Sequence, residues 1–258
     1  MNRSRHIAGA GPTATDWARD ALLAAVPAIC LDELVPPGAR VVVVAPHPDD
    51  EILTCGALLQ LVMARGDAPL IVAVTDGEAS HPGSPEWPPE RLRRERARET
   101  DAALACLGID ASHVQRLGIP DGGVTAAEAD LTRRLAAIVQ AGDVVIPTWC
   151  WDGHPDHEST ARACTAAARQ SGARLLQAPV WGWHWSAPGD GAMPLAQAHK
   201  LMVPAAALAR KRAALGCFHS QINGDASSGA APILPAFAME RLLHPFELYF
   251  ADHLTNHV

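Results

Sequence analysis

The 258-residue sequence has no excess of basic residues. Its 21 lysines and arginines are outnumbered by 28 aspartates and glutamates, which gives a formal net charge of −7 at pH 7. Nucleic acids and anionic membrane surfaces are bound by basic faces, so the charge balance argues against both kinds of partner. The densest basic run, residues 91–99 (RLRRERARE), is interleaved with glutamates and predicts a solvated helix face.

Paired cysteines and long apolar runs are also missing. The six cysteines are scattered without a CxxC pair, which favours small buried thiols over a disulfide framework. The N-terminus has no continuous apolar stretch, and no run approaches the ~18 apolar residues of a membrane-spanning helix. We therefore expect a cytoplasmic protein with reduced cysteines that neither spans nor binds a membrane.

What the sequence does contain is an alternation of short β-branched runs with longer helical patterns. Strands are predicted at 41–45, 69–77, 113–118, 143–149 and 174–183. Helices are predicted over 13–28, 52–63, 90–107, 125–140, 157–171 and 204–216. Such alternation is typical of βαβ units, so we predict a Rossmann-like α/β fold, a mostly parallel sheet flanked by helices on both faces. After residue 185 the pattern is poorly readable, apart from the helix and a Gly/Ser loop at 223–230.

Two clusters of histidine and acidic residues follow predicted strands. In the segment PHPDDE, His47 and Asp50 are three positions apart across a proline. In WDGHPDHES, His154 and His157 repeat that spacing. Ligands of parallel sheets bind outside the carboxyl ends of the strands, so both clusters should lie at that edge.

Imidazole and carboxylate groups from two strand ends are a donor set typical of catalytic metal sites. Such a set suits Zn²⁺, and also Fe²⁺, Co²⁺ or Mn²⁺. Each cluster alone is equally consistent with a loop in which an aspartate caps the next helix, but the two together favour a metal. A carboxylate beside the ligands would accept a proton from water that the metal has acidified. The spacing leaves open which carboxylate binds the metal and which acts as the base.

The same segments resemble the signatures of the LmbE/PIG-L family of zinc-dependent N-acetylglucosaminyl deacetylases, HPDDE after the first strand and a later HPDH. Further family-like features recur in order: TDGE (75–78), a helix with Arg96 and Glu99, IPDGG (119–123) and KRAALGCFHSQ (211–221). The resemblance covers about residues 40–222. We expect a single LmbE-like deacetylase domain over 1–258. Residues 1–37, an additional N-terminal helical segment, and the residues after 222 lie outside the resemblance.

Carried over to matching positions, the resemblance implies that His47, Asp50 and His157 hold zinc. It also implies that Asp49 is the general base. The implied activity is hydrolysis of the acetyl, or a similar acyl, group from the amide nitrogen of an N-acetyl amino sugar or its conjugate.

The resemblance also implies a role for the first histidine of HPDH. His154 would stabilise the oxyanion or protonate the departing amine, and Asp156 would orient it. Neither a serine nor a cysteine nucleophile is required by this mechanism.

Five further residues are candidates for substrate contacts. Arg96 is expected by family analogy to contact a hydroxyl or phosphate, although a solvated arginine fits equally well. Asp121 would face the substrate or only occupy an Asp-Gly turn. Trp149 and Trp151 flank the metal motif and are predicted to stack on the substrate, and His219 lies in the family-like HSQ. The tryptophans expected to pack in the core are Trp181, Trp183 and Trp185.

Two other functions compete with the deacetylase. One is an amidase of another small N-acyl metabolite, such as a thiol conjugate or an antibiotic. The other is a non-catalytic Rossmann-like nucleotide or sugar binder, which the absence of a GxGxxG motif disfavours. We expect a small-molecule partner, and the apolar N-terminal helix is compatible with a homo-oligomer.

Overall fold

The structure, a computed structural model of the chain, describes residues 5–7 and 9–251. The domain predicted over 1–258 therefore includes residues outside the described part, namely 1–4, 8 and 252–258. The strands are β1 (Ala28–Ile29), β2 (Val41–Ala45), β3 (Leu70–Ala73), β4 (Val114–Arg116), β5 (Val144–Pro147), β6 (Arg174–Gln177), β7 (Ala198–Met202) and β8 (Phe246–Ala251).

Helices follow most of these strands. In chain order they are α1 (Ala14–Ala18), α2 (Ala21–Ala25), α3 (Leu31–Leu34), α4 (Asp50–Arg65), α5 (Pro89–Cys106), α6 (Glu128–Ile138), α7 (Pro155–Ser171), α8 (Gly182–Trp185), α9 (Ala205–Leu215), α10 (His219–Ile222) and α11 (Ala236–Glu240). Two short 3-10 helices span Ala111–His113 and Leu195–Gln197. None of the helices in the described part of the chain is long and apolar enough to cross a membrane.

The strands form one eight-stranded sheet in the order β1-β7-β8-β6-β5-β2-β3-β4. All neighbouring strands are parallel except β8, which is antiparallel to both β6 and β7. The fold prediction of a mostly parallel, Rossmann-like α/β sheet is therefore confirmed. The order also places β2 and β5 side by side, so the two histidine clusters leave the sheet from adjacent strands.

Every residue of β2 is buried, because both faces of the sheet are covered by helices. Val41 and Val43 point into one apolar core, and Val42 and Val44 point into the other. The first core contains side chains of α4, α5 and α9, and the second contains side chains of α6 and α7. This two-sided burial explains the continuous β-branched run, and it fixes where the chain emerges at residue 46.

The predicted single helix over 13–28 is wrong. The chain instead forms α1 and α2, followed by β1. Asp20 interrupts the helix because its side chain accepts the Leu22 N–H (2.8 Å) and caps a new helix. Ala28 and Ile29 then pair with β7, which adds the N-terminal segment to the edge of the sheet.

The strand predicted over 174–183 ends at Gln177, and the chain then turns into α8. The turn is held by the buried carboxylate of Asp152, which accepts the N–H groups of Val180 (3.0 Å), Trp181 (3.0 Å) and Gly182 (2.9 Å). Alternation along a strand therefore does not govern the tryptophans of this segment. The unread C-terminal region supplies β7 and β8 to the sheet.

Candidate metal centre at the carboxyl edge of the sheet

The two histidine clusters meet where β2 and β5 end. His47 Nδ1 lies 3.4 Å from Asp50 Oδ2 and 3.2 Å from His157 Nε2. His157 Nε2 in turn lies 3.2 Å from Asp50 Oδ2. Asp50 and His157 are buried and His47 is half-buried. Three donor atoms from segments 110 residues apart therefore converge on one point.

Carboxylates face the outer nitrogens of both imidazole rings. His47 Nε2 lies 3.2 Å from Asp121 Oδ1 and 3.4 Å from Asp156 Oδ2. His157 Nδ1 lies 2.7 Å from Asp152 Oδ2. A carboxylate only accepts, so each outer nitrogen carries a proton, and in the neutral ring the inner nitrogen presents its lone pair to the cluster.

This arrangement accumulates negative charge around the two rings. Burial alone would lower the pKa of His47, but the carboxylates of Asp121, Asp156 and Asp50 raise it well above its usual value. Burial is likewise outweighed at His157, where Asp50 and then Asp152 raise the pKa to about 9. The cluster therefore favours a positive charge between these groups, which either protons or a divalent cation supply.

The geometry fits such a cation. A tetrahedral zinc ion with bonds of about 2.0–2.1 Å has ligand atoms about 3.3 Å apart. The three donor atoms of His47, Asp50 and His157 are separated by 3.2, 3.2 and 3.4 Å. Two imidazole nitrogens and one carboxylate oxygen also leave a fourth tetrahedral position open.

His47 belongs to two other groups of closely spaced donors. One combines it with His154 and His157, and the other with Asp121 and Asp156; in each group the atoms lie within 4.8 Å of one another. The second group surrounds the outer nitrogen of His47, so we interpret it as support for the ring.

Asp49 adopts an unusual backbone conformation beside the cluster. Its φ of 120° is the only positive value among the described non-glycine residues. Its N–H donates to Glu51 Oε2 (3.1 Å), and Arg96 Nη2 donates to both the Pro48 carbonyl and Asp49 Oδ2 (3.1 Å). These bonds hold a conformation that would otherwise be unfavourable. Burial raises the pKa of Asp49 to about 7, against the lowering effect of Arg96.

Arg96 is buried, which contradicts the alternative of a solvated arginine. Besides its bonds at residues 48 and 49, Nη1 donates to the Gly77 carbonyl (3.1 Å). Its guanidinium lies against Gly77 so closely that a Cβ there would be 2.0 Å from Nη1. The arginine therefore orients Asp49, and a direct contact with substrate stays a prediction.

His154 stands at the start of α7, next to both metal-site rings. Its ring centroid lies 4.8 Å from that of His47 and 4.9 Å from that of His157. The Asp156 N–H lies 3.3 Å from His154 Nδ1, which assigns the proton of the neutral ring to Nε2. Burial, followed by the two neighbouring histidines, lowers the pKa of His154 to about 3, so this ring is a neutral donor.

The Asp156 side chain does not orient His154 as predicted. Its carboxylate accepts the N–H groups of Gly122 (2.7 Å) and Val124 (3.2 Å), and it lies beside His47. The helical turn from His154 to Asp156 brings only the backbone N–H toward the ring. Asp156 therefore positions His47 and the loop after β4.

A cavity of about 300 Å³ opens onto these residues. Of the predicted site residues it is lined by His47, Asp49, Asp50, Arg96, Asp121, His154 and His157. The other lining residues are Leu53, Ala79, Ser80, Gly122, Val180, Trp181, Gln221, Ile233 and Leu234.

Three predicted substrate contacts lie outside this lining. Trp149 is 1% exposed and packs in the core against Trp185, with ring centroids 5.8 Å apart. Trp151 lies on the surface, where the Arg5 guanidinium covers its ring at 4.7 Å. His219 is exposed. Core burial and surface placement thus direct these three side chains away from the cavity.

Among the site residues that sequence reasoning missed, three are instructive. Gln221 lines the cavity, although the HSQ motif had drawn attention to the histidine two positions earlier. Trp181 lines it as well, because the chain turns into α8 where a strand was expected. Asp152, hidden between a tryptophan and a glycine in WDG, fixes His157. Its only signal was its place in the HPDH segment.

The fold and this cluster together define an α/β protein with a metal-type centre at the carboxyl edge of its sheet. Residues 42–168 match the protein family described as PIG-L: GlcNAc-PI de-N-acetylase. This segment contains both histidine clusters, and the match confirms the resemblance read from the motifs.

Curated relatives are similar over part of their length. The chain is 34% identical over 179 residues to the 1D-myo-inositol 2-acetamido-2-deoxy-alpha-D-glucopyranoside deacetylase of Mycobacterium sp. (strain KMS), covering 59% of this chain and 56% of that protein. It is 30% identical over 193 residues to the deacetylase of the same name from Mycolicibacterium vanbaalenii, covering 64% and 65%. The chain thus spans just over half the length of the first of these relatives.

Solved structures share the fold. A deacetylase of teicoplanin biosynthesis, in complex with teicoplanin, superimposes with a TM-score of 0.59 at 20% identity, over 71% of this chain and 88% of that one. An antimicrobial pseudoaglycone deacetylase gives a TM-score of 0.57 at 22% identity, over 83% and 96%. At these identities the likeness establishes the architecture only.

Proposed function

We propose that the chain is a zinc-dependent hydrolase that removes an acyl group from the nitrogen of an N-acylated amino sugar or its conjugate. One observation carries the proposal. The donor atoms of His47, Asp50 and His157 converge at 3.2–3.4 Å while the outer ring nitrogens are held by carboxylates. A protein that only binds a sugar or a nucleotide would not require this arrangement.

A zinc ion held by these three residues would supply Lewis-acid polarisation of the amide carbonyl and acidify water. The remaining steps belong to the chain. Asp49 accepts a proton from the attacking water, and its pKa near 7 suits a group that must take up and release a proton at neutral pH. Arg96 and Glu51 keep the carboxylate in place during both transfers.

His154 acts on the carbonyl side. Its Nε2–H is a neutral donor that would hydrogen bond to the carbonyl oxygen as negative charge develops there. Because its pKa lies far below 7, we assign the proton delivered to the departing amine to Asp49. Of the two roles that the resemblance left open for His154, the proposal assigns it oxyanion stabilisation.

The substrate class follows from the relatives and from the polar groups of the cavity. The curated relatives are named as deacetylases of a glucosamine–inositol conjugate. In this chain Asp121, Ser80 and Gln221 line the cavity and offer partners for sugar hydroxyls. An amidase of another small N-acyl metabolite would use the same chemistry, but it would not need this polar lining.

Metal content and amine release test the proposal together. Purified protein should hold one zinc per chain, lose activity on treatment with a strong chelator, and regain it when zinc, or in part Fe²⁺, Co²⁺ or Mn²⁺, is returned. The assay measures amine release from a panel of N-acetylated sugars and conjugates. A chain that binds no metal under any condition, or that works equally well after stripping, would contradict the proposal.

The compartment, the oligomeric state and the extent of the domain over 1–258 remain predictions from the sequence. Fractionation, sedimentation and limited proteolysis, respectively, measure them.

A further inference from the structure

The cavity has two chemically different sides. In the sheet order β6-β5-β2-β3-β4, the predicted metal ligands follow β2 and β5 in the middle. Polar lining residues come from one side of this centre, with Ser80 after β3 and Asp121 after β4. On the other side, beyond β5, Val180 and Trp181 follow β6 and are apolar. The predicted metal centre therefore lies between a polar side and an apolar side of the cavity.

The apolar side contains both buried and exposed side chains. Leu53 lies one helical turn after Asp50 and is 3% exposed. Val180 and Leu234 are equally buried, Trp181 is half-buried, and Ile233 is 39% exposed. An acetyl group contributes a single methyl, which is too small to cover this surface.

The scissile amide bond must cross between the two sides. If the proposed function holds, the amine half is a sugar whose hydroxyls need hydrogen-bond partners, and these lie on the β3–β4 side. The carbonyl is at the metal centre, so the acyl substituent points toward the β6 side. Four residues of that side, Val180, Trp181, Ile233 and Leu234, lie outside the family-matched segment 42–168. Most of the apolar side therefore lies outside the segment that the family model matches.

We propose that the preferred substrates carry an N-acyl group longer than acetyl, whose alkyl chain packs on the apolar side. In the reaction, the oxygen of water forms a bond to the acyl carbon and the C–N bond breaks. The nitrogen takes the proton that Asp49 received, and the products are a free amine and a carboxylic acid. The proposal rests on the deacylase function and specifies its acyl group.

The test uses one methyl glycoside of glucosamine with N-acetyl, N-butanoyl or N-hexanoyl groups. Each additional buried CH₂ should raise kcat/KM about fourfold, which is the expected gain from removing a methylene from water. A flat or falling series would overturn the acyl preference. A rise seen only when an octyl aglycone is added to the N-acetyl sugar would also overturn it, because the apolar side would then hold the aglycone.

Variants link the preference to the named residues. Trp181→Ala should lower the hexanoyl-to-acetyl ratio of kcat/KM by about tenfold or more, because its ring supplies much of the apolar contact. Met202→Ala is a matched control, since Met202 is 53% exposed and does not line the cavity. An unchanged ratio in the Trp181 variant would contradict the assignment. Release of no amine from any substrate would overturn the deacylase function as well, whereas equal release would overturn only the acyl preference.

A second observation concerns two thiols away from the cavity lining. Cys106 ends α5 and is exposed, and Cys217 follows α9 and is half-buried. Their Sγ atoms are 3.8 Å apart and both thiols are free. A disulfide bond is about 2.05 Å long, so the sulfurs need to approach by only roughly 2 Å.

We infer that this pair is a site of thiol–disulfide exchange with small disulfides of the glutathione type. Burial and the neighbouring Cys106 raise the pKa of Cys217 to about 11, so the exposed Cys106 attacks first. One reagent thiol leaves, and Cys217 then displaces the second, which forms the Cys106–Cys217 bond and releases two thiols in all. The bond would fasten α5 to the segment whose Ser220 already donates to Glu99 twice at 2.7 Å.

Incubation with glutathione disulfide and peptide mapping tests this inference. The expected product is a 106–217 crosslink, with loss of two hydrogens and no glutathione attached. Cys30 is the control, because it is exposed and forms no thiol–thiol contact within the described part of the chain; it should take up one glutathione. Cys217→Ser should convert Cys106 to a stable glutathione adduct. Glutathione retained on Cys106 of the wild-type chain, without the crosslink, would contradict the inference.

Discussion

The two sides of the cavity are held together in different ways. Around β2 and β5, carboxylates and backbone N–H groups fix each side chain, as Asp152 fixes His157 and Arg96 fixes Asp49. On the β6 side, Leu53, Trp181 and Ile233 contribute apolar surface. The difference indicates that the reaction depends on a rigid polar network, whereas selection of the acyl group depends on surface that tolerates change. The following variants test this division.

Asp49→Asn should have the largest effect on the polar side. An amide cannot accept the proton from water, so we expect kcat to fall by about 10²–10⁴-fold. Asn has the same shape and Asp49 is not among the three converging donors, so metal content should stay at one per chain. Asp101→Asn serves as the control. It removes a half-exposed carboxylate of α5 that pairs with Arg116, and it should change neither kcat nor metal content. Full activity in the Asp49 variant would exclude it as the base.

The variants Trp149→Ala and Trp181→Ala compare a tryptophan of the core with a tryptophan of the cavity. Trp149 is 1% exposed, so its truncation should cost about 3–5 kcal/mol in the free energy of unfolding. Trp181 is half-buried at the cavity, and its truncation should cost less stability but change acyl selectivity. Urea unfolding and kcat/KM for two acyl lengths measure the pair. The comparison fails if Trp149→Ala keeps its stability and changes selectivity instead.

Asp152→Asn should weaken the metal site without removing a ligand. Loss of the charged partner of His157 Nδ1 should reduce metal affinity about 10–100-fold, the usual effect of altering a group that supports a ligand. Competition with a chromophoric chelator measures the affinity. Asn keeps one oxygen as an acceptor for the 180–182 backbone, so secondary structure should be retained. Unchanged metal affinity would show that the carboxylate only anchors the turn.

The smallest expected effect is the release of protons when the metal binds. In the metal-free chain His47 and His157 have raised pKa values, that of His157 about 9, so both rings are protonated at pH 7. A metal requires the deprotonated inner nitrogens, so binding should release about two protons, and affinity should rise with pH up to about 9. Calorimetry in buffers of different ionisation enthalpy counts the protons. Metal affinity independent of pH between 6 and 8 would contradict this account.

Local patterns were sufficient to predict the part of the fold that holds the polar network. The β-branched runs of β2, β3 and β5 are buried on both faces, and a helix follows each of them. The HPDDE segment begins two residues after the end of β2, and the HPDH segment begins seven residues after the end of β5. Their meeting point was therefore predictable from the rule that parallel strands end at one edge.

Tertiary contacts decided what the sequence did not reveal. β8 contains Glu247, which interrupts its apolar run. Its buried carboxylate pairs with Lys211 at 2.7 Å and accepts the N–H groups of Ala57 and Leu58 at 2.8 Å. The extended prediction at 174–183 failed because Asp152, distant in sequence, turns the chain. That turn also brings Trp181 to the cavity, where Trp149 had been predicted. Such partners leave no local signal.

Metal binding by the wild-type chain and by His157→Ala tests the central claim most directly. After chelator treatment and equilibrium dialysis against a slight excess of zinc, the wild-type chain should retain one zinc per chain, and His157→Ala should retain none at the same free zinc. His113→Ala removes a half-buried histidine that bonds to the Asp110 carbonyl; this variant is the control and should bind as the wild type does. A wild-type chain without zinc, or a His157→Ala variant with a full equivalent, would contradict the assignment of His47, Asp50 and His157 as the metal ligands.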